Sequence, residues 1–372
     1  MKTIETFCEK ELSYPFPFPK EEILFFDIET TGFSPKTSAL YLIGVLFFTD
    51  GNWKCVQWFA DDYSSEPSIL SAFFSFLQHF KYIIHFNGST FDLPYVQKKC
   101  MQHGLSEELY SFSNVKSLDL YKEIFPHRKR IHISNLKQKS LEEFLHIERK
   151  DTYTGKELIK FYQNYVKATQ HHEKMQAQEL EYFLLLHNRD DLMGMLQFSS
   201  LMYLADLLNG SIHFLSLTVE QNDTIITFRG RIPFHFPASY QWKGPTSFLS
   251  IMDDTLTLLL SAYTMELKYF YSNYKDYFYL PAEDTAIHKS VASYVDKEFR
   301  QKATKDTCYI KQSGLFLPAY SSELYPLFRE NLQAKEQFLL LNEDFFSNDK
   351  LQLLYIQSFL KYCPDLCLEK II

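Results

Sequence analysis

Glycine is scarce in this chain of 372 residues, at 11 in all, and the six cysteines are scattered. With 46% apolar and 17% aromatic residues, the composition excludes a fibrous or disordered class. Only Cys363 and Cys367 are close neighbours, too few for a recognisable zinc site, and the cysteines read as free thiols. No apolar run reaches membrane-spanning length before a charge interrupts it. Met1-Lys2-Thr3-Ile4-Glu5 also lacks signal-peptide character, so a soluble, cytoplasmic protein without a membrane partner is expected. A net positive charge is missing too. At a net −8 the chain has no global attraction for a polyanion, which would have to be held by local basic patches and bound cations.

What is present is length and aromatic bulk. The chain exceeds the usual size of one core, which predicts a main domain and a second module. Residues 23–28 read as a buried strand, and 39–49 and 53–59 flank Asp50-Gly51-Asn52, a hairpin signal; together they predict an antiparallel meander. A helix over 68–80, a strand over 82–86, a helix ending near 103 and a strand over 115–121 imply crossover connections and parallel pairing. Residues 140–208 have helical spacing. The fold class is therefore α/β: after a lead over 1–22, residues 23–209 form a mixed five-stranded sheet flanked by helices. Past Asn209-Gly210 a smaller α+β module is expected over 210–372. It would hold a hairpin over 212–229, a helix over 287–303 and a hairpin over 308–318 around Ser313-Gly314.

Three clusters carry chemistry. Side chains alternate along a strand, so Asp27 and Glu29 project from one face at the carboxyl end of the first core strand. Their repulsion is relieved if a hard divalent cation such as Mg2+ or Mn2+ lies between them, although a polar turn would also explain them. Asp92 follows the strand and loop His85-Phe86-Asn87-Gly88-Ser89-Thr90-Phe91, again at a strand's carboxyl edge, where helix capping is the competing role. His187 and Asp191 lie one helical turn apart on one face. There a carboxylate can bind metal while the imidazole takes a proton from water; a solvated helix face is the alternative.

Together the segments Phe26 to Gly32, Asn87 to Asp92 and His187 to Asp191 resemble the three exonuclease motifs of the DEDD, or DnaQ-like, superfamily, most of all its YprB-like branch. The likeness extends through Ser117 to Tyr121, Ser140 to Leu145 and Arg149 to Tyr165. It implies a ribonuclease-H-like fold and a 3'-5' exonuclease of DNA or RNA working by two-metal phosphodiester hydrolysis. Asp27, Glu29, Asp92 and Asp191 would be the metal ligands, and His187 would stand at the general-base position. Asp190, beside Asp191, would face elsewhere. The backbone from Ile28 to Thr30 and the side chain of Asn87 would hold the terminal nucleotide. In one respect the chain departs from the pattern: three residues separate His187 from Asp191, the spacing of members that use tyrosine. A scaffold that binds nucleic acid without turnover, and a ribonuclease-H-type endonuclease, are the alternatives.

Arg128, Lys129, Arg130, Lys137 and Lys139 form an acid-free basic stretch suited to a phosphate backbone, with an exposed loop as the competing reading. The tyrosine-rich segment 269–279 fits core packing better than base stacking.

Overall fold

The computed structural model describes residues 1–106, 110–133, 135–236 and 238–371. The chain divides into two compact units, Met1–Lys129 with Ile133–Ala205, and Arg130–His132 with Asp206–Ile372.

The first unit is built on a six-stranded sheet: β1 (Lys2–Cys8), β2 (Ile23–Thr30), β3 (Leu40–Thr49), β4 (Asn52–Phe59), β5 (Tyr82–His85) and β6 (Lys116–Asp119), in the order β1-β4-β3-β2-β5-β6. β2, β3 and β4 form the antiparallel meander, and β5 and β6 join in parallel after α1 (Glu66–Leu77) and α2 (Asp92–Gln102). The run Ile23-Leu24-Phe25-Phe26 is buried throughout, as a central strand covered on both faces requires. Phe26 packs on Phe73 of α1, ring centroids 4.9 Å apart. Two short helices, α3 (Leu120–Ile124) and α4 (Gln138–Phe144), precede α5 (Gly155–Gln170) and α6 (Lys174–Phe198), which pack on each other, with α6 against β2, β3 and β4. α5 opens with a reciprocal capping box between Thr154 and Glu157.

The sixth strand corrects the five-stranded expectation. β1 pairs antiparallel with β4 from Lys2↔Phe59 to Cys8↔Trp53, within what reads in sequence as a lead. An edge strand needs only one weakly apolar face, here Ile4, Thr6 and Cys8, so it carries no continuous apolar run.

The second unit contains a six-stranded antiparallel sheet in which β7 (Ser216–Asn222) and β8 (Ile225–Arg231) form the expected hairpin. Two other expectations fail. In place of a helix over 287–303 there is a strand Thr285–His288, one turn Lys289–Ala292 and a 3-10 turn Lys297–Phe299. Val291 and Tyr294 stay exposed at 56% and 91%, so a helix here would have no apolar face to bury. Residues Tyr309–Pro318 form one long strand instead of a hairpin. Gly314 lies opposite Met265, and a Cβ there would come within 2.8 Å of Leu340, so this glycine permits close packing and makes no turn. Among the described residues no disulfide joins any of the six cysteines. Among the described residues no helix is long and apolar enough to cross a membrane.

Candidate active site

Asp27 and Glu29 leave β2 at its carboxyl end, half-buried, with Ile28 between them turned into the core. Opposite Asp27 across the sheet stands Gly44 of β3. The space a side chain would fill there belongs to Asn188 of α6. A Cβ on Gly44 would lie 1.9 Å from Asn188 Oδ1 and 2.8 Å from Leu192 Cδ1. Asn188 is fully buried; its Nδ2 donates to Asp27 Oδ2 at 2.7 Å, and its Oδ1 accepts from Gln57 Nε2 at 2.9 Å. A hydrogen-bonded chain thus runs from β4 through α6 to the first acid. Gly44→Ala should expel Asn188 and overpack the α6 contact, destabilising the protein by about 1–3 kcal/mol; a thermal-denaturation midpoint equal to the parent's would contradict it.

Asp92 is brought in by the loop after β5. Asn87 has a left-handed backbone, φ 60°, and a Cβ on Gly88 would meet His85 at 2.8 Å and Asp92 Oδ2 at 3.1 Å. Asp119, at the end of β6, accepts from the amides of Asn87 (2.8 Å), Ser89 (3.2 Å) and Tyr121 (3.1 Å) and fixes the loop's path. His85 Nδ1 accepts from the Gly88 amide at 3.1 Å, and its Nε2 lies 2.7 Å from Ser117 Oγ. Burial holds this imidazole down at about 4, and Asp119 only partly offsets it, so it is neutral. Asp92 begins α2 without capping it and is itself buried.

α6 supplies the rest. His187 Nε2 is 3.5 Å from Asp191 Oδ2, as their spacing on one helical face predicts, and 3.7 Å from Glu29 Oε1. Glu29, His187 and Asp191 each offer a ligand atom within 4.8 Å of the others. The other imidazole nitrogen, Nδ1, lies 2.6 Å from Asp151 Oδ2. That carboxylate is fully buried in its side chain, bonded also by Arg149 at 3.1 Å, and approached by Lys139 at 3.3 Å. Arg149 further spans Asp191, at 2.5 Å, and Glu142, at 3.2 Å. Asp190 faces away, accepting from the amides of Lys150 (2.9 Å) and Asp151 (2.7 Å).

The charges of these groups bear on one another. Burial, then the charges of Asp191, Glu29 and Asp92, push the Asp27 carboxyl well above its ordinary value despite the Asn188 bond. Burial lifts Glu29 to about 7, with His187 opposing and Asp191 and Asp92 adding. Asp92 also rises to about 7 by burial, with its own amide and that of Ile28 opposing. His187 is lowered by burial, yet Glu29, the Asp151 bond and Asp191 raise it to about 9. Asp151 goes the other way: burial is outweighed by His187, the Tyr153 amide and Arg149, and it stays well below the carboxylate range. Oxygen donors and one imidazole, in a place where carboxylates resist ionisation, could hold a divalent metal ion.

The signs give a testable pH dependence. Acids held above their unfolded values, 3.8 and 4.5, stabilise the fold fully below about pH 4, and that contribution fades as pH rises through about 7. The His187 contribution is complete below 6.5 and fades through about 9. Metal binding needs deprotonated ligands, so its stabilising effect grows over the same interval. Saturating Mn2+ should raise the melting temperature more at about pH 8 than at about pH 5; equal shifts would remove these groups from the metal site.

Beside Asp27 and Asp92 an open cleft of about 810 Å³ is lined by Phe33, Phe86, Asn87, Phe91, Tyr121 and Lys137, among others. Asn87 Oδ1 accepts from Thr90 at 2.9 Å, and Thr30 donates to the Gly32 carbonyl at 3.0 Å. In the basic stretch, Lys129 is exposed, and Arg128 stacks 4.0 Å over Phe125 and donates to the Phe125 carbonyl at 3.1 Å. Arg130 corrects the phosphate-binding expectation. It donates to the carbonyls of Leu366 (3.2 Å), Leu208 (3.1 Å), Leu360 (2.6 Å) and Lys361 (3.4 Å). Helix ends leave carbonyls without intrahelical partners, and a guanidinium has the donors to satisfy several at once.

Residues 24–203 match the sequence model of the RNase H superfamily. This part of the chain is similar to that superfamily. Its strand order and crossovers are those of a ribonuclease-H-like domain. No curated protein matches the sequence. Among solved structures, the family B DNA polymerase of Pyrobaculum calidifontis is similar at 15% identity, over 71% of this chain and 36% of its own, with a TM-score of 0.39. Escherichia coli exonuclease I bound to an oligonucleotide is similar at 11% identity, over 62% of this chain and 54% of its own, with a TM-score of 0.32. The chain thus spans between about a third and about a half of these neighbours' lengths.

Reading the sequence alone missed Asn188, Asp151 and Arg149 as parts of this site. Arg149 lies inside the segment of family likeness, but no spacing signals that it would meet Asp191. Tyr162 and Tyr165, from the same segment, are core residues: Tyr162 stacks on Tyr41 at 4.3 Å, and Tyr165 packs on Phe59 at 5.0 Å.

Proposed function

We propose that this chain is a divalent-metal-dependent nuclease of the DEDD type that hydrolyses phosphodiester bonds of DNA or RNA from a 3' end. The observation that carries the reading is that Glu29, His187 and Asp191 each offer a ligand atom within 4.8 Å of the others, with the charge of Asp92 bearing on Glu29 and those of Glu29, Asp92 and Asp191 on Asp27. In this reading those acids hold the ions, and bound divalent metal supplies an activated water and stabilises the leaving oxygen. Asn87 and the aromatic walls of the cleft receive the terminal nucleotide, with the backbone from Ile28 to Thr30 alongside. His187 presents Nε2 toward the acids because Asp151 holds Nδ1, and it accepts the proton of the attacking water. Neutralising Glu29 and Asp191 removes two of the charges that keep this imidazole protonated in the metal-free protein.

The test is hydrolysis of end-labelled oligonucleotides in Mn2+ and in EDTA. Metal-dependent release of mononucleotides from the 3' end supports the reading; internal fragments would transfer the site to endonuclease chemistry. A second reading, binding without turnover, is favoured by one observation: Arg149 already pairs with Asp191 at 2.5 Å. Calorimetry separates the two, since a site closed by Arg149 would take up no Mn2+.

A further inference from the structure

Arg149 also lines a second cavity, of about 680 Å³, whose lining shares no residue with the cleft beside the acids. Phe7, Lys10, Lys150 and Arg189 form part of its wall. Four acids line it: Asp190 is engaged by the amides of Lys150 and Asp151 and Glu142 by Arg149, while Glu9 and Glu148 are exposed. Three of its cations have no partner: among the described residues the side chains of Lys10, Lys150 and Arg189 donate no hydrogen bond and form no ion pair, although Arg189 is half-buried. Gly194 lets Glu142 pack closely on α6, since a Cβ there would meet Glu142 Oε1 at 2.4 Å. Phe7, on the edge strand β1, is 70% exposed.

A concave site with three unpaired cations and one free aromatic face matches an anion joined to a flat ring. We propose that this cavity binds a nucleotide, its phosphate on Lys10, Lys150 and Arg189 and its base against Phe7. The phosphate can belong to a free nucleoside monophosphate or to a strand. Two probes distinguish these sources: radiolabelled 5'-AMP in equilibrium dialysis, and a short fluorescein-labelled oligo(dT) in anisotropy titration. Both measurements are made in EDTA, without turnover, so the result stands apart from the nuclease reading. Arg189→Glu and the exposed Lys150→Glu should each weaken binding by about tenfold or more, and Phe7→Ala should weaken it as well. Loss confined to AMP assigns the site to a free nucleotide, and loss confined to the oligonucleotide assigns it to a strand. Parent-like affinity for both probes in correctly melting Arg189→Glu and Lys150→Glu proteins would overturn the proposal.

Discussion

Asp27→Asn is expected to lower turnover by at least about a thousandfold while leaving the metal-free melting temperature no lower than the parent's. Asp27 faces the charges of all three other acids, and its burial adds to them. An amide of the same shape removes that repulsion and can still accept from Asn188 Nδ2. Metal ligation asks the opposite, because a neutral amide supplies neither the charge nor the second strong donor that holds a hard cation. Stability and activity should therefore part company at this position, as they do where a site is strained for function. Single-turnover rates in Mn2+ and a calorimetric melt of the same preparation decide it. A rate within tenfold of the parent would remove Asp27 from the metal site and, with it, the nuclease reading.

The sheet and the acids differ in how far sequence reveals them. β2 is legible because a strand covered on both faces must be apolar without a break, and Asp27 and Glu29 stand out at its end. β1 is not, since an edge strand pairs through its backbone, leaves Lys2, Glu5 and Phe7 exposed and covers only the weakly apolar face of Ile4, Thr6 and Cys8. The spacing of His187 and Asp191 fixes their shared face by helix geometry alone. The partner of His187 lies 36 residues earlier, on a loop whose approach to α6 depends on Asp190 capturing two amides, and nothing local to Asp151 announces it. Arg130 misleads for a related reason. A basic run looks the same in sequence whether its guanidinium meets phosphate or carbonyls, and only the packing of helix ends, distant along the chain, distinguishes the two.

His187→Ala should reduce turnover by about a hundredfold to ten-thousandfold, and Asp151→Asn by about a hundredfold or more. Asp151 lets the imidazole keep a proton on Nδ1, so that Nε2 is the nitrogen that can accept one. An amide nitrogen in place of Oδ2 would instead donate toward Nδ1 and favour the opposite tautomer, with Nε2 carrying its proton toward Glu29 and Asp191. Arg149, at 3.1 Å from Asp151 and 2.5 Å from Asp191, would at the same time lose one of its charges and tighten on the other. Because Asp151 acts through His187, the double variant should be no slower than His187→Ala alone, and the two losses should not add. In Asp151→Asn the fall should appear in kcat with KM little changed, since neither residue lines the cleft beside Asp27 and Asp92. Additive losses would mean that Asp151 acts on the reaction independently of the imidazole, and the pairing seen at 2.6 Å would then be structural only.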